Sequence, residues 1–407
     1  MIPQKEGELQ LSRRLEGVSE SATLKLNATV QQMKAQGVDV INLTAGEPDY
    51  FVPEAAKKAV IDAVHANQSK YTPVGGLPAL REEIARKTNE QQKSLSSNRP
   101  WKSNHVVVTN GGKQALFNSL MAILNPGDEV LIPAPYWLSY PEMVKLAGGI
   151  PKFIPASGAQ GFKITPEQLT QSIGPHVKVL ILNSPSNPTG ALYSKEEYKA
   201  LGAALAQSPY SKNIWILSDE IYDRITLGAT PFCSFLEANP ELVDQTITIN
   251  GVSKSAAMTG WRLGWSVAGE KVTQAMLTLQ GQSTSGVNAL AQWAAIAALK
   301  LPESEFTSQV ESFRKRRDLL LENLKKARKL EKYTPDGAFY VFAGVGKYLR
   351  PGEDSIDFAQ RVLEEAKVAV VPGTPFGDPE CVRLSFATDE KSITEGCQRL
   401  VSYLDSI

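Results

Sequence analysis

Short, uniformly apolar runs alternate with helical patterns through the middle of the chain. "HVVVT" (105–109) leads into the helix-like "GKQALFNSLMAIL", and "DEVLIP" (128–133), "VKVLILN" (177–183), "NIWILSD" (213–219), "QTITIN" (245–250) and "RLGWSVA" (262–268) continue the series. Val/Ile/Leu runs without alternation leave no polar face for water. They predict an α/β fold with a mostly parallel central sheet covered by helices on both faces. Ligands of such sheets bind beyond the carboxyl ends of the strands. Asn187, Asp219 and Lys254 each fall at or a few residues past a predicted strand end.

The texture changes after about residue 290. "SFRKRRDLLLENLKKARKL" (312–330) reads as a long, charged amphipathic helix, followed by "AFYVFAG", "VAVVPG", "CVRLSFA" and a last helix over 389–405. This pattern predicts a smaller α+β domain, which the first 50 residues join because they precede the sheet pattern. The expected division is 1–50 with 290–407 for the small domain, and 51–289 for the large one. "ALAQWAAIAALKL" is too short and interrupted to span a membrane and reads as a buried helix. "TNEQQKSLSSNRPWKSN" (88–104) reads as a polar surface connection.

Composition narrows the function classes. The 407 residues are 42% hydrophobic and 21% charged, which is ordinary for a globular protein. Lys and Arg number 43 against 43 Asp and Glu, so no basic excess points to nucleic acid and any charge-based recognition is local. Cys233, Cys381 and Cys397 are scattered and odd in number, which fits a reducing compartment rather than a disulfide framework. His65, His105 and His176 are equally scattered, which argues against a zinc site or a histidine-based triad. The polar N-terminus lacks an apolar signal core, so the expected location is the cytoplasm, with no membrane partner.

A few residues invite chemistry. Lys254 lies in "NGVSKSAAMTGWRLGW" (250–265) with no anion beside it in sequence. A desolvated lysine loses pKa, and its neutral amine can attack an aldehyde or ketone. A surface lysine is the plainer reading, and company decides between them. Asp219 closes an apolar run, where an unpaired carboxylate is costly; it could also cap a helix over "EIYDRI". Tyr222, three residues on, would share its face on a helical turn. Asn187 sits in the turn "NSPSNPTG" (183–190), and "TNGGKQAL" (109–116) could offer backbone N–H groups to an anion at a helix start. Arg383, amid the apolar residues of "CVRLSFAT", needs an anion, and its planar fork suits a carboxylate.

Taken in order, "LTAGEPD", "KYTPVGG", "NGGKQALFN", "NPGDEV", "PYWLSYPEM", "NSPSNPTG", "SDEIYD", "SKSAAMTGWRLGW", "GAFYVF" and "VVPGTPFG" resemble the class I pyridoxal-phosphate aminotransferases over nearly the whole chain. The likeness is greatest to the bacterial aspartate aminotransferases of the branch that includes aspartate/prephenate aminotransferases. The resemblance implies the fold type I of pyridoxal-phosphate transferases, pyridoxal 5'-phosphate as cofactor and no metal. It also implies a homodimer with the active site shared between subunits. It makes Lys254 the Schiff-base lysine and proton carrier, Asp219 the partner of the pyridine nitrogen, and Asn187 and Tyr222 contacts of the phenolic oxygen. Trp137 would stack on the ring. Gly112, Lys113, Ser253 and Arg262 would hold the phosphate, joined by Tyr71 of a second subunit. Arg383 would grip the substrate α-carboxylate near the Gly46 backbone, with Trp137 and Asn187 beside it.

The activity so implied is transamination of L-aspartate with 2-oxoglutarate to oxaloacetate and L-glutamate, ping-pong through pyridoxamine phosphate. In that branch a lysine at the place of Lys113 and hydroxyls at those of Ser21 and Thr23 receive the second carboxylate. Branch members active on prephenate often carry a basic residue just before "SAT"; here Ser19 and Glu20 precede it. That leaves prephenate, aromatic or broad-specificity use open. More remote are a lyase on the same scaffold and a non-enzymatic effector-binding protein. The latter needs a DNA-binding module, and only a short arm precedes "LTAGEPD".

Overall fold

The computed structural model describes residues 11–407. Seven strands form the large sheet: β1 (Val106–Thr109), β2 (Glu129–Ala134), β3 (Ile150–Pro155), β4 (Val177–Asn183), β5 (Trp215–Asp219), β6 (Thr246–Gly251) and β7 (Gly264–Val267). Their spatial order is β1-β7-β6-β5-β4-β2-β3. Only β7 runs against its neighbours, β1 and β6. The apolar runs are buried on both sides, as their lack of alternation requires. Val107, Ile132, Ile181, Leu217 and Ile249 pack with helix residues on one face, and Leu131, Leu180, Leu182 and Ile216 on the other. Strand β3 was not expected from the sequence. Its prolines and exposed side chains obscure the pattern, and an edge strand tolerates both.

Eight helices matter below: α1 (Ala22–Ala35), α2 (Glu54–His65), α3 (Pro78–Gln91), α4 (Gly112–Ile123), α5 (Ser139–Leu146), α6 (Ala289–Leu299), α7 (Ser304–Leu324) and α8 (Glu390–Asp405). A second, antiparallel sheet contains β8 (Glu331–Lys332), β9 (Tyr340–Gly344), β10 (Val371–Pro372) and β11 (Cys381–Ser385) in the order β10-β11-β9-β8. "VAVVPG" serves two sheets. Its first half, Val368–Ala369, pairs in parallel with Ile41–Asn42 and stitches the N-terminal segment to the small sheet's side of the molecule.

Two sequence expectations need correction. Helix α6 does not join the small sheet: its Ala291, Ala294, Ala295 and Leu299 pack with Ala56 of α2 and Leu80 and Ile84 of α3. Phe306 belongs to that same core, whereas Phe313, Leu320 and Leu324 belong to the core under the small sheet. We therefore place the domain division inside α7, not at residue 290, with the other crossing between Tyr50 and Val52, which pack on opposite cores. The second correction concerns 88–104. Gln92 and Trp101 are buried there, the indole N–H donating to Gln92 Oε1 at 2.7 Å, and Gln92 Nε2 donating to Ser234 Oγ at 2.9 Å. Polar composition hid a satisfied internal network. Among the described residues, no helix is long and apolar enough to cross a membrane.

Candidate active site

Strand β5 delivers Asp219 into the interior at 4% exposure. Burial raises its pKa to about 6, while hydrogen bonds from Tyr140 and the Ile221 N–H and the Lys254 charge pull it down. Tyr140 Oη donates to Asp219 Oδ2 at 2.6 Å. A turn, not a helix, follows: Asp223 N donates to Glu220 O at 3.0 Å. The turn aims Tyr222 into the molecule, where its hydroxyl meets that of Tyr340 at 2.9 Å. Burial pushes both phenols up in pKa.

Lys254 sits in one short helical turn, Val252–Ser255, between β6 and β7. Its Nζ donates to the Gly46 carbonyl and lies 5.8 Å and 5.9 Å from the Phe339 and Tyr222 ring centres. Burial lowers its pKa to about 8; Glu47 and Asp219 oppose this, and Arg383 and Arg262 add to it. The amine thus has a peptide carbonyl for a partner, not a carboxylate.

Close backbone approach shapes the start of α4. Gly111 has φ +81°, and a Cβ there would lie 2.7 Å from Arg262 Nη2. Among the described residues the Arg262 guanidinium donates only to carbonyls, Thr259 O at 2.8 Å and Asn110 O at 3.4 Å. The first N–H groups of a helix have no intrahelical acceptor, so Gly112 and Lys113 present donors beside this arginine. Lys113 extends its ammonium over the Trp137 ring, 4.9 Å from the centre. Partial loss of hydration and the Arg262 charge lower its pKa. Trp137 in turn packs edge-on against Tyr140, with ring centres 5.4 Å apart.

Arg383, in the middle of β11, is 3% exposed. It donates to Asn187 Oδ1 at 2.8 Å and Thr44 O at 3.1 Å, and its Nε has no partner. The guanidinium lies 4.3 Å from the Tyr340 ring centre. Among the described residues, none of Lys113, Lys254, Arg262 and Arg383 forms an ion pair. Cations left without a carboxylate partner attract anionic ligands.

The remaining candidates are less closely joined. Ser253 is buried next to Lys254. Ser21 precedes α1 at its N-cap position without a side-chain capping bond, and Thr23 lies in the first turn with a buried Oγ1 that has no partner among the described residues. This arm docks near Trp137, because the Ser19 N–H donates to Glu142 of α5 at 2.9 Å. Tyr71 is 100% exposed and contacts none of the others within one chain. Three residues that sequence reasoning did not single out complete the arrangement: Tyr140, Tyr340 and Asn183. Asn183 Nδ2 donates to Asp219 O at 3.0 Å while its Oδ1 accepts from Asn187 N at 2.9 Å, locking the two turns together. A separate cavity of about 420 Å³ lies near Asp223, Arg224 and Glu303. Its charges are largely satisfied, Arg224 by Glu303 at 3.0 Å and Asp223 by Gln91 at 2.7 Å and Asn250 at 3.0 Å.

A lysine amine, a buried carboxylate and three cations without carboxylate partners, gathered beyond the carboxyl ends of the central strands, suit a group-transfer site for anionic substrates. The chain belongs to the aminotransferase class I and II family, whose model matches residues 38–400. Pyridoxal 5'-phosphate is the cofactor of these enzymes. The chain is 43% identical to a probable aspartate/prephenate aminotransferase of Rhizobium leguminosarum bv. phaseoli, covering 96% of this chain and 97% of that one. It is 42% identical to the aspartate aminotransferase of Geobacillus stearothermophilus, covering 98% and 100%. Among solved structures, aspartate aminotransferase from Rhizobium meliloti superposes with a TM-score of 0.91 at 37% identity, covering 98% and 99%. The Thermus thermophilus aspartate aminotransferase with maleate gives 0.90 at 40% identity, covering 97% and 100%.

Proposed function

We propose that the chain transfers the amino group of L-aspartate to 2-oxoglutarate, giving oxaloacetate and L-glutamate. One observation carries this reading: three cations without a carboxylate partner, Arg262, Lys113 and Arg383, stand around the Lys254 amine, one for the cofactor's phosphate and one for each carboxylate of a dicarboxylic substrate. Arg262, with the α4 N-terminus and Ser253, suits the phosphate of the cofactor. Gly111 and Gly264 fit the same group, because their missing side chains let backbone N–H groups and the guanidinium face one point. Asp219 suits a pyridine N–H, being buried and already held by Tyr140. Tyr222 and Asn187 would offer donors to the cofactor's phenolic oxygen, and Trp137 an aromatic face.

The bound cofactor supplies an aldehyde that accepts amino groups and a protonated pyridine that withdraws electrons from the substrate's α-carbon. The chain's own residues do the rest. Arg383 takes the α-carboxylate through a planar fork beside Asn187 and the Gly46 loop. Lys113, with the Ser21 and Thr23 hydroxyls, takes the distal carboxylate. Lys254, lowered to about 8, can present a neutral amine that removes the α-proton and returns it. Asp219 would keep the pyridine nitrogen of the cofactor protonated. The Thermus relative's maleate is a dicarboxylate of the kind this placement of cations fits. Tyr71, exposed here, would enter the phosphate site of a partner subunit in a homodimer.

Borohydride reduction of the loaded enzyme followed by peptide mass spectrometry should find the cofactor's mass on Lys254. Lys254→Ala should abolish steady-state turnover. The mass on another lysine, or normal turnover in the variant, defeats the assignment.

A further inference from the structure

The loop Thr44–Tyr50 connects the two halves of the molecule and touches the reacting groups at several points. Thr44 O accepts from Arg383 at 3.1 Å, and Gly46 O accepts from the Lys254 amine. Asp49 receives Arg316 Nη1 on both carboxylate oxygens, at 2.7 and 2.8 Å. Arg316 lies on α7, the other segment that crosses between the halves, so Asp49 latches one crossing to the other. Tyr50 packs its ring 5.7 Å from that of Phe313, also on α7, and its hydroxyl donates to the Lys254 carbonyl at 2.7 Å.

That carbonyl lies in the last turn of a four-residue helix, where no intrahelical N–H remains to satisfy it. The Tyr50 hydroxyl takes that role. Burial raises its pKa, so it remains a donor across the working range. We propose that Tyr50 is a positioning residue for Lys254: its hydroxyl fixes the backbone from which the reacting amine extends, and ties that backbone to α7. The phenol acts on the lysine's main chain, its hydroxyl being spent on the Lys254 carbonyl. This inference rests on the reading of Lys254 as the reacting amine. It adds that the lysine is held from both ends by one loop, Gly46 at the amine and Tyr50 at the carbonyl.

The test compares wild type, Tyr50→Phe and Lys254→Ala, each loaded with pyridoxal 5'-phosphate. Tyr50→Phe removes one hydroxyl and keeps the ring against Phe313. It should bind cofactor normally and unfold only a few degrees lower, as the loss of one hydrogen bond requires. Its kcat with aspartate should fall about fivefold, which corresponds to about 1 kcal/mol, the usual net worth of one hydrogen bond. KM for aspartate should stay within about twofold. The midpoint of the loaded enzyme's absorbance change with pH should move by about 0.5 or more, because the amine's surroundings shift with its backbone. A Tyr50→Phe enzyme with wild-type kcat and midpoint overturns the proposal, even if its unfolding temperature drops. Turnover by Lys254→Ala would instead overturn the underlying reading, so the two failures are distinct.

Discussion

Arg383 Nη1 and Asn187 Oδ1 are 2.8 Å apart, joining the middle of the small sheet to the turn after β4. The pair leaves the guanidinium Nε without a partner and no carboxylate near the charge. Burial lowers the arginine's pKa, as expected for a desolvated cation awaiting an anion.

Arg383→Ala should therefore lower kcat/KM for every amino donor, by about 2–5 kcal/mol in transition-state stabilisation. Arg383→Lys should recover little of it, since a point charge cannot reproduce the fork. The check is kcat/KM for aspartate and alanine with each variant. A lysine variant near wild-type activity would show that charge alone suffices.

Lys113 has a different task. Its side chain is exposed and its ammonium reaches over Trp137. Lys113→Ala should reduce kcat/KM for aspartate about tenfold, a modest loss because the pair would be partly solvated. Activity towards alanine should change far less. Equal losses for both donors would remove Lys113 from distal-carboxylate recognition.

Much of this was legible in the chain. The sheet could be read because its strands are buried on both faces and show it as unbroken Val/Ile/Leu runs. Lys254, Asp219 and Arg383 stood out because a charge amid apolar residues needs a reason. Tyr140, Asn183 and Tyr340 did not stand out. An aromatic in a helix or strand pattern reads as packing, and only tertiary contact reveals what its hydroxyl meets. Gln92 and Trp101 were lost for the converse reason, a buried network written in residues typical of a surface. Helix α6 was assigned to the wrong side because an alanine-rich helix does not announce which sheet it packs against.

Glu220, next to Asp219, provides a test on stability. Its Oε1 accepts from Ser218 Oγ and Ser234 Oγ, each at 2.8 Å, while the buried Oε2 has no partner. Burial raises its pKa from 4.5 to about 7 against those hydrogen bonds. A carboxyl raised in the folded state holds its proton more tightly there than in the unfolded chain. Its stabilising contribution is complete below about pH 4.5 and is lost as pH rises through about 7. Glu220→Gln mimics the protonated form and should remove this part of the slope. In cofactor-free protein the variant should unfold near the wild-type temperature at pH 5 and above it at pH 8. The gain at pH 8 should be on the order of 2–3 kcal/mol. Parallel melting profiles across that range would mean that the carboxyl is charged throughout.

Gly264 tests the phosphate cradle through backbone alone. It begins β7 opposite Thr109 of β1 and Gly251 of β6. A Cβ there would lie 2.5 Å from Gly112 N and 2.6 Å from Gly111 C. These are main-chain atoms of the turn that starts α4, so no side-chain rotation relieves the clash. Gly264→Ala must push that turn off the strand and misdirect the N–H groups proposed to meet the phosphate. Affinity for pyridoxal 5'-phosphate should weaken at least about tenfold, with a stability loss of about 1–3 kcal/mol. Gly260 is the control, because a Cβ there meets nothing within 4 Å. Gly260→Ala should titrate with cofactor as wild type does, in the same fluorescence experiment. If Gly264→Ala binds as tightly as Gly260→Ala, the turn before α4 does not hold the phosphate, and Arg262 must do so with other donors.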